Sequence, residues 1–489
     1  MTGNIELASR LEALAGARVL VVGDVMLDRF VYGAVERISP EAPIPVLRIE
    51  REAAMLGGAG NVLRNLAALG VTTDLVAVVG DDAAGREVQA LALAETGDGC
   101  RLLVHRGRPT TIKERYIAAG QQLLRTDREA AHPLAPETAR ELVAAARAAL
   151  AGAGALVLSD YGKGVLEPAT LGALIEAAGS AGCPVVVDPK GRDFGIYRGA
   201  TLVTPNRHEL EQASGLPTAS DEDIALAARA IIDICGIEAV LATRGPQGMM
   251  LLGTGGKGKH LRLPAEAREV FDVSGAGDTV AAVAAAALAA GLALEDAARL
   301  ANVAAGIVVG KLGTAVATPA EMLHALHASV LLAAEAKVVG LEATVERARR
   351  WRGAGLRVGF TNGCFDLLHP GHISLLEQAR AACDRLIVGL NSDASVRRLK
   401  GTGRPVQSEA ARAAVLASLA SVDLVVIFGE DTPLALIEAL EPEVLVKGAD
   451  YARDQVVGAE VVERHGGRVV LAEITPGYST TRVIEKLSG

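Results

Sequence analysis

Short apolar runs of three to five residues alternate with longer Ala- and Leu-rich segments of helical period along most of the chain. The runs at residues 18–22, 75–79, 155–158, 184–187, 202–204 and 239–242 predict strands. Residues 137–151, 169–181 and 221–234 predict helices between them. Strands that are apolar throughout and separated by helices predict a doubly wound, mostly parallel α/β sheet with helices on both faces. Residues 30–49 and 110–125 depart from this rhythm. They alternate polar and apolar positions and carry Pro and Gly, which predicts a small separate β lid. Beyond residue 318 the pattern turns helical and charged through residues 335–352. A second α/β rhythm then follows at 356–360, 385–390, 424–428, 444–446 and 468–471. The expected division is residues 1–330, a helical connector at 331–352, and a second, Rossmann-like domain at 353–489.

The length of 489 residues suits two domains. Half the residues are hydrophobic but only 3% are aromatic, so the cores are expected to be Ala, Val, Leu and Ile. A formal net charge of −9 argues against a broad nucleic-acid or membrane-surface role, so any phosphate binding must be local. The five cysteines are scattered and form no CxxC pair, which argues against a disulfide framework and suits a cytoplasmic protein. The apolar stretch at 280–294 is too short for a membrane span and reads as a buried core helix.

The sharpest motif of the first region is Asp272-Val273-Ser274-Gly275-Ala276-Gly277-Asp278-Thr279, running into that alanine helix. Glycines before a helix let backbone N–H groups converge, and the helix dipole adds positive potential. The result is an anion hole for a phosphoryl group in transfer. Asp278 at such a helix start is placed to take a proton from an attacking hydroxyl. Asp24 ends the first strand, where open parallel sheets bind ligands, and Gly57-Gly58-Ala59-Gly60-Asn61 opens a helix. Lys190 follows a strand and suits a phosphate. Asn206, Arg207, His208 and Glu209 follow Thr204-Pro205, with Glu209 suited to Mg²⁺ through water. Thr243 to Gly245 ends another strand, and Asn302 lies on a late helix. This order of motifs resembles the ribokinase-like carbohydrate kinases over residues 15–320. The resemblance implies Asp278 as catalytic base and Asp24, Gly57, Gly58 and Asn61 as sugar ligands. It also implies ATP and Mg²⁺ at Asn206 to Glu209, Thr243, Gly245, Gly275, Gly277 and Asn302.

The second region opens with Thr361-Asn362-Gly363-Cys364-Phe365-Asp366-Leu367-Leu368-His369-Pro370-Gly371-His372 after a strand. His369 and His372 fall on one face of a helix start, where two imidazoles suit a triphosphate under attack. A zinc reading fails for want of further ligands nearby. Lys400 and Arg404 are long cations on a loop and suit the phosphates and the leaving pyrophosphate; Ser479, Thr480 and Thr481 begin a last helix and suit phosphate oxygens. These motifs resemble the cytidylyltransferase-like nucleotidyltransferases over residues 355–487, which implies nucleotide contacts at Asn362, Phe365 and Asp366. Relatives use ATP or CTP. Ala449, and Val483 after Arg482, depart from the usual pattern and leave the base contacts open.

A kinase followed by this transferase in one chain resembles the bifunctional enzymes of ADP-heptose biosynthesis. The resemblance implies a heptose 7-phosphate phosphorylated at C1, a separate phosphatase that removes the 7-phosphate, and adenylyl transfer from ATP to the 1-phosphate. It also implies a homodimer through the lid. A different sugar phosphate, or one domain acting only as a nucleotide sensor, are the alternatives. A distal sugar phosphate needs cations, for which Arg108, Lys113, Arg115 and Arg125 are candidates.

Overall fold

The computed structural model describes residues 2–254, 260–266, 270–311, 313–449 and 452–473. The chain separates into two compact units, with the division between Leu326 and His327.

The larger unit is built on a nine-stranded sheet. Arg18–Gly23 lies near one side, flanked by Thr72–Gly80 and Ala155–Ser159, all parallel. The parallel run continues through Val185–Asp188, Leu202–Val203 and Ala239–Thr243. It turns antiparallel only at Met249–Gly253 and Leu261–Leu263. Residues such as Val19 to Val22 and Leu156 to Leu158 are fully buried, because helices cover both faces. Two separate apolar clusters, one on each face, form the core. The alanine stretch of the sequence becomes the helix Ala276–Ala289, packed against the helix Ala59–Ala68 and the strand Ala155–Ser159. It stops earlier than its apolar pattern suggests, because Gly291 adopts a φ of 78° and a new helix starts at Leu294–Val308.

The irregular stretches form a four-stranded sheet of Pro45–Gly58, Val25–Ile38, Thr111–Ala118 and Gln121–Arg128. It starts directly after Asp24, so the first core strand and the lid are joined by that one residue. The outer strand Gln121–Arg128 is exposed along its whole length.

The smaller unit carries a five-stranded, all-parallel sheet in the order Leu424–Phe428, Arg385–Asn391, Val358–Gly363, Val444–Gly448, Arg468–Ala472. Chain order reverses at Val358–Gly363, and that strand's carboxyl end is where such sheets bind ligands. The segment 331–352, expected as a helical connector, is divided between two helices. Pro319–Glu335 and Leu341–Gly353 are separate helices, and Val338 between them bridges Val425 on the sheet edge.

Candidate active sites

In the larger unit the strands Arg18–Gly23, Ala155–Ser159, Val185–Asp188 and Ala239–Thr243 all point their carboxyl ends at one place, where the helix Ala276–Ala289 begins. Gly275 caps that helix at φ 79°, and a Cβ there would lie 2.5 Å from Asn61 Nδ2. Asp278 is 3% exposed. Its Oδ2 accepts from Asn61 Nδ2 and its Oδ1 from the Tyr161 hydroxyl, each at 2.8 Å. Burial pushes the Asp278 carboxyl up to about 7; these two donors pull it down, and the Asp28 charge adds to the rise. A carboxylate poised near neutrality beside a helix N-terminus suits a general base.

Two cavities meet here. One of about 910 Å³ is lined by Asp188, Lys190, Asn206, Arg207, His208, Glu209, Thr243, Gly245, Gly277 and Asn302, among others. The second, of about 480 Å³, is lined by Gly58, Gly275 and Asp278 and by the cations Lys113, Arg115, Arg125, Lys163 and Lys190. These cations are held by carboxylates: Arg115 by Asp28 at 2.8 Å, Lys113 by Asp127 at 3.2 Å, and Lys163 by Glu129 at 2.7 Å. Arg108 is elsewhere. It is buried and donates to the carbonyls of His132, Ala130 and Lys163.

Asp24, Gly57 and Asn61 line neither cavity and stand directly behind the walls. Asp24 is buried, and its Oδ2 accepts from the Tyr161 and Lys163 N–H groups at 2.9 and 3.0 Å. Its Oδ1 has no protein partner, and burial raises its pKa. Gly58, at φ 59°, leaves no room for a Cβ against the Asp24 carbonyl. Glu209 closes a capping box with Asn206 and also accepts from Lys190 Nζ at 2.9 Å. Asp188 is partly buried in the wall of the larger cavity, and burial, then the Asp278 and Glu209 charges, push its pKa far up. Tyr161, Asp28 and Asp188 were not singled out in the sequence, since no local motif marks a tyrosine whose partner lies 117 residues away.

In the smaller unit His369 caps the helix Pro370–Ala382. The His369 and His372 rings stack at 3.8 Å, and the Phe365 ring lies 5.1 Å from that of His372. Phe365 holds a φ of 44°, a left-handed conformation rare for an aromatic residue. Burial, then the neighbouring His369, pushes His372 down to about 4, so both rings are neutral at physiological pH; burial lowers His369 as well. The buried Asn362 Oδ1 has no protein partner. Asp366 is shut in. It pairs with Arg404 and accepts from the Val406 N–H at 2.7 Å, so Arg404 is engaged within the protein. Lys400 is exposed at the end of Asp393–Lys400. Ser479, Thr480 and Thr481, with Arg482 and Val483, lie outside the described residues. The sequence reading missed Arg412. Its fully buried guanidinium donates to the carbonyls of Cys364 at 2.6 Å, Asn391 at 2.9 Å and Gln407 at 3.1 Å, and to Asp393 at 2.8 Å.

Fold and site together define a sugar kinase joined to a nucleotidyltransferase. Residues 17–321 match the pfkB family of carbohydrate kinases and residues 360–486 the cytidylyltransferase-like family. The fold of the first part is similar to that of phosphofructokinase-2 from Escherichia coli in complex with potassium. That match has a TM-score of 0.55 and 23% identity, and covers 64% of this chain and 99% of that one. The whole chain is 61% identical to the bifunctional protein HldE of Paramagnetospirillum magneticum, covering all of both chains. It is 58% identical to that of Rhodospirillum rubrum, covering 99% of this chain and 97% of that one. The chain belongs to the family of the bifunctional protein HldE.

Proposed function

We propose that the first site phosphorylates D-glycero-β-D-manno-heptose 7-phosphate at C1 with ATP. The second site then transfers adenylyl from ATP to heptose 1-phosphate, giving ADP-heptose and pyrophosphate. Residues 1–330 carry the kinase, 331–352 connect, and 353–489 carry the transferase. The observation that carries the kinase half is Asp278 lining the smaller of two adjoining cavities, with Gly277 beside it lining the larger. The larger suits ATP, through Asn206, Thr243, Gly245, Gly277 and Asn302; the smaller, ringed by five cations, suits a sugar with a distal phosphate. Asp278 removes the proton of the anomeric hydroxyl, and the N–H groups after Gly275 receive the charge of the transferred phosphoryl group.

Mg²⁺ fits the larger cavity. Asp188 and Glu209 both line it; burial first, then the Asp278 and Glu209 charges, raise Asp188, and a divalent cation would relieve that charge crowding. When bound there, the metal neutralises charge on the nucleotide phosphates. In the second site the neutral imidazoles of His369 and His372 donate to the triphosphate, Asn362 Oδ1 accepts, and Lys400 meets the pyrophosphate. The sugar phosphate itself attacks the α-phosphorus. A separate phosphatase acts between the two steps, and the protein works in the cytoplasm. None of the helices among the described residues is long and apolar enough to cross a membrane.

Mass spectrometry of products from heptose 7-phosphate, ATP and Mg²⁺, with and without a phosphatase, tests this reading. Bisphosphate alone is expected without the phosphatase, and ADP-heptose with it. Asp278→Asn is expected to abolish the first product and spare adenylyl transfer from supplied heptose 1-phosphate. His372→Ala should lower adenylyl transfer by about 10²-fold and spare the kinase. Loss of both activities from either substitution, in a folded chain, refutes separate sites.

A further inference from the structure

The two cavities of the kinase unit share two lining residues, Tyr161 and Lys190. Lys190 is half exposed and held by Glu209. Tyr161 is different. Its hydroxyl donates to Asp278 Oδ1, while its backbone N–H donates to Asp24 Oδ2. The turn that carries it is held through Asp160, whose Oδ1 accepts from the Gly162 N–H at 2.8 Å and whose Oδ2 accepts from the Tyr197 hydroxyl at 2.6 Å. On the opposite side Arg64 donates to the Thr314 carbonyl at 3.0 Å and to Asn61 Oδ1 at 3.4 Å, which turns the Asn61 amide N–H₂ toward Asp278 Oδ2.

We propose that Tyr161 is a positioning residue of the kinase, its phenol pinning Asp278 Oδ1 while Asn61 pins Oδ2, so that the carboxylate is held in one orientation where the two cavities meet. An ionised carboxylate oxygen accepts two hydrogen bonds, so each oxygen keeps one lone pair free, and Asp278 lines the smaller cavity. The phenol donates to the ionised form and therefore favours it; its own proton is retained, because burial drives its pKa far up. The other charged groups facing Asp278 are Asp28 and Arg115 on the lid, Asp188 at a strand end, and Lys163 and Lys190. Further round the smaller cavity are Lys113, Arg125, Asp127 and Glu129. Tyr161→Phe changes none of them.

This inference rests on the reading of Asp278 as the base, and the experiment separates the two. The acidic limb of kcat/KM for the sugar phosphate reports the free base. Without the phenol donor the base holds its proton more tightly. In Tyr161→Phe the limb is therefore expected to move up by about one pH unit, a roughly ten-fold loss below it that shrinks at alkaline pH. KM for ATP and adenylyl transfer by the same chain are expected to be unchanged. A superimposable profile, or a loss equal at every pH, overturns the proposal. Should Tyr161→Phe lack the kinase unit's melting transition, site-specific 3-fluorotyrosine at 161 decides. Its more acidic phenol is a stronger donor and should move the limb down, and an unmoved or raised limb refutes the role. Full kinase activity in Asp278→Asn would instead refute the base, whatever Tyr161 does.

Discussion

Gly275 shows how little room the kinase site leaves. At φ 79° any side chain is strained, and a Cβ would press on the Asn61 amide that holds Asp278. Gly275→Ala therefore combines backbone strain of about 1–3 kcal/mol with a displaced base. Its kinase kcat is expected to fall about 100-fold while adenylyl transfer is retained, which steady-state assays of both reactions on one preparation will show. The Gly-Ala-Gly-Asp motif was legible because its chemistry is local: glycines, a helix start and a carboxylate within four residues. Tyr161 was not, because a tyrosine becomes a partner of Asp278 only when a strand end and a distant helix start are brought together.

The ends of the strands carry the next predictions. In the smaller unit one guanidinium ties the His-motif loop, through the Cys364 carbonyl, to the end of Arg385–Asn391 and to Asp393. Arg412→Met leaves those acceptors and Asp393 without their donor, a loss of about 3–5 kcal/mol. The transition of the smaller unit is expected to fall by several degrees and adenylyl transfer to be lost, with kinase activity intact, as calorimetry and paired assays will read. In the larger unit Asp24, Asp160, Asp188 and Asp278 all have raised pKa values, through burial first in each case; Asp160 reaches about 6 and Asp278 about 7. A carboxyl raised in the fold binds a proton that the unfolded chain has released. Its stabilisation is complete below the ordinary range near 3.8 and is lost as pH rises through about 6 and about 7. Carboxylates lowered by ion pairs, such as Asp127 and Glu129, act below this window. The ligand-free kinase unit should therefore melt lower at about pH 8 than at about pH 5, and Asp160→Asn should narrow the gap. The helix rhythm itself was readable from apolar spacing. The break at 336–340 was not, since the bridge from Val338 to Val425 comes from the sheet edge rather than from local propensity.

At the scale of the molecule, the lid leaves Ile38, Ile49 and Leu124 on its strands, and Ile44 in the turn before Pro45–Gly58, between 52% and 61% exposed. We propose that a second copy of the chain covers exposed apolar residues of the lid, making a homodimer. Ile44→Asp is expected to shift sedimentation equilibrium toward monomer, and an unchanged mass would refute that interface. The sequence by itself determined the two α/β rhythms, the helix-start glycines and the two phosphate-handling motifs, because period and turn chemistry act over a few residues. Only the tertiary structure decided which side chains meet. It placed Asp278 in the wall of the smaller cavity, engaged Arg108 with backbone carbonyls and Arg404 with Asp366, and brought Tyr161 to Asp278 and Arg412 to the Cys364 carbonyl. A buried polar group takes whatever partner the packing supplies, and that partner is set by sheet order rather than by its neighbours in the chain.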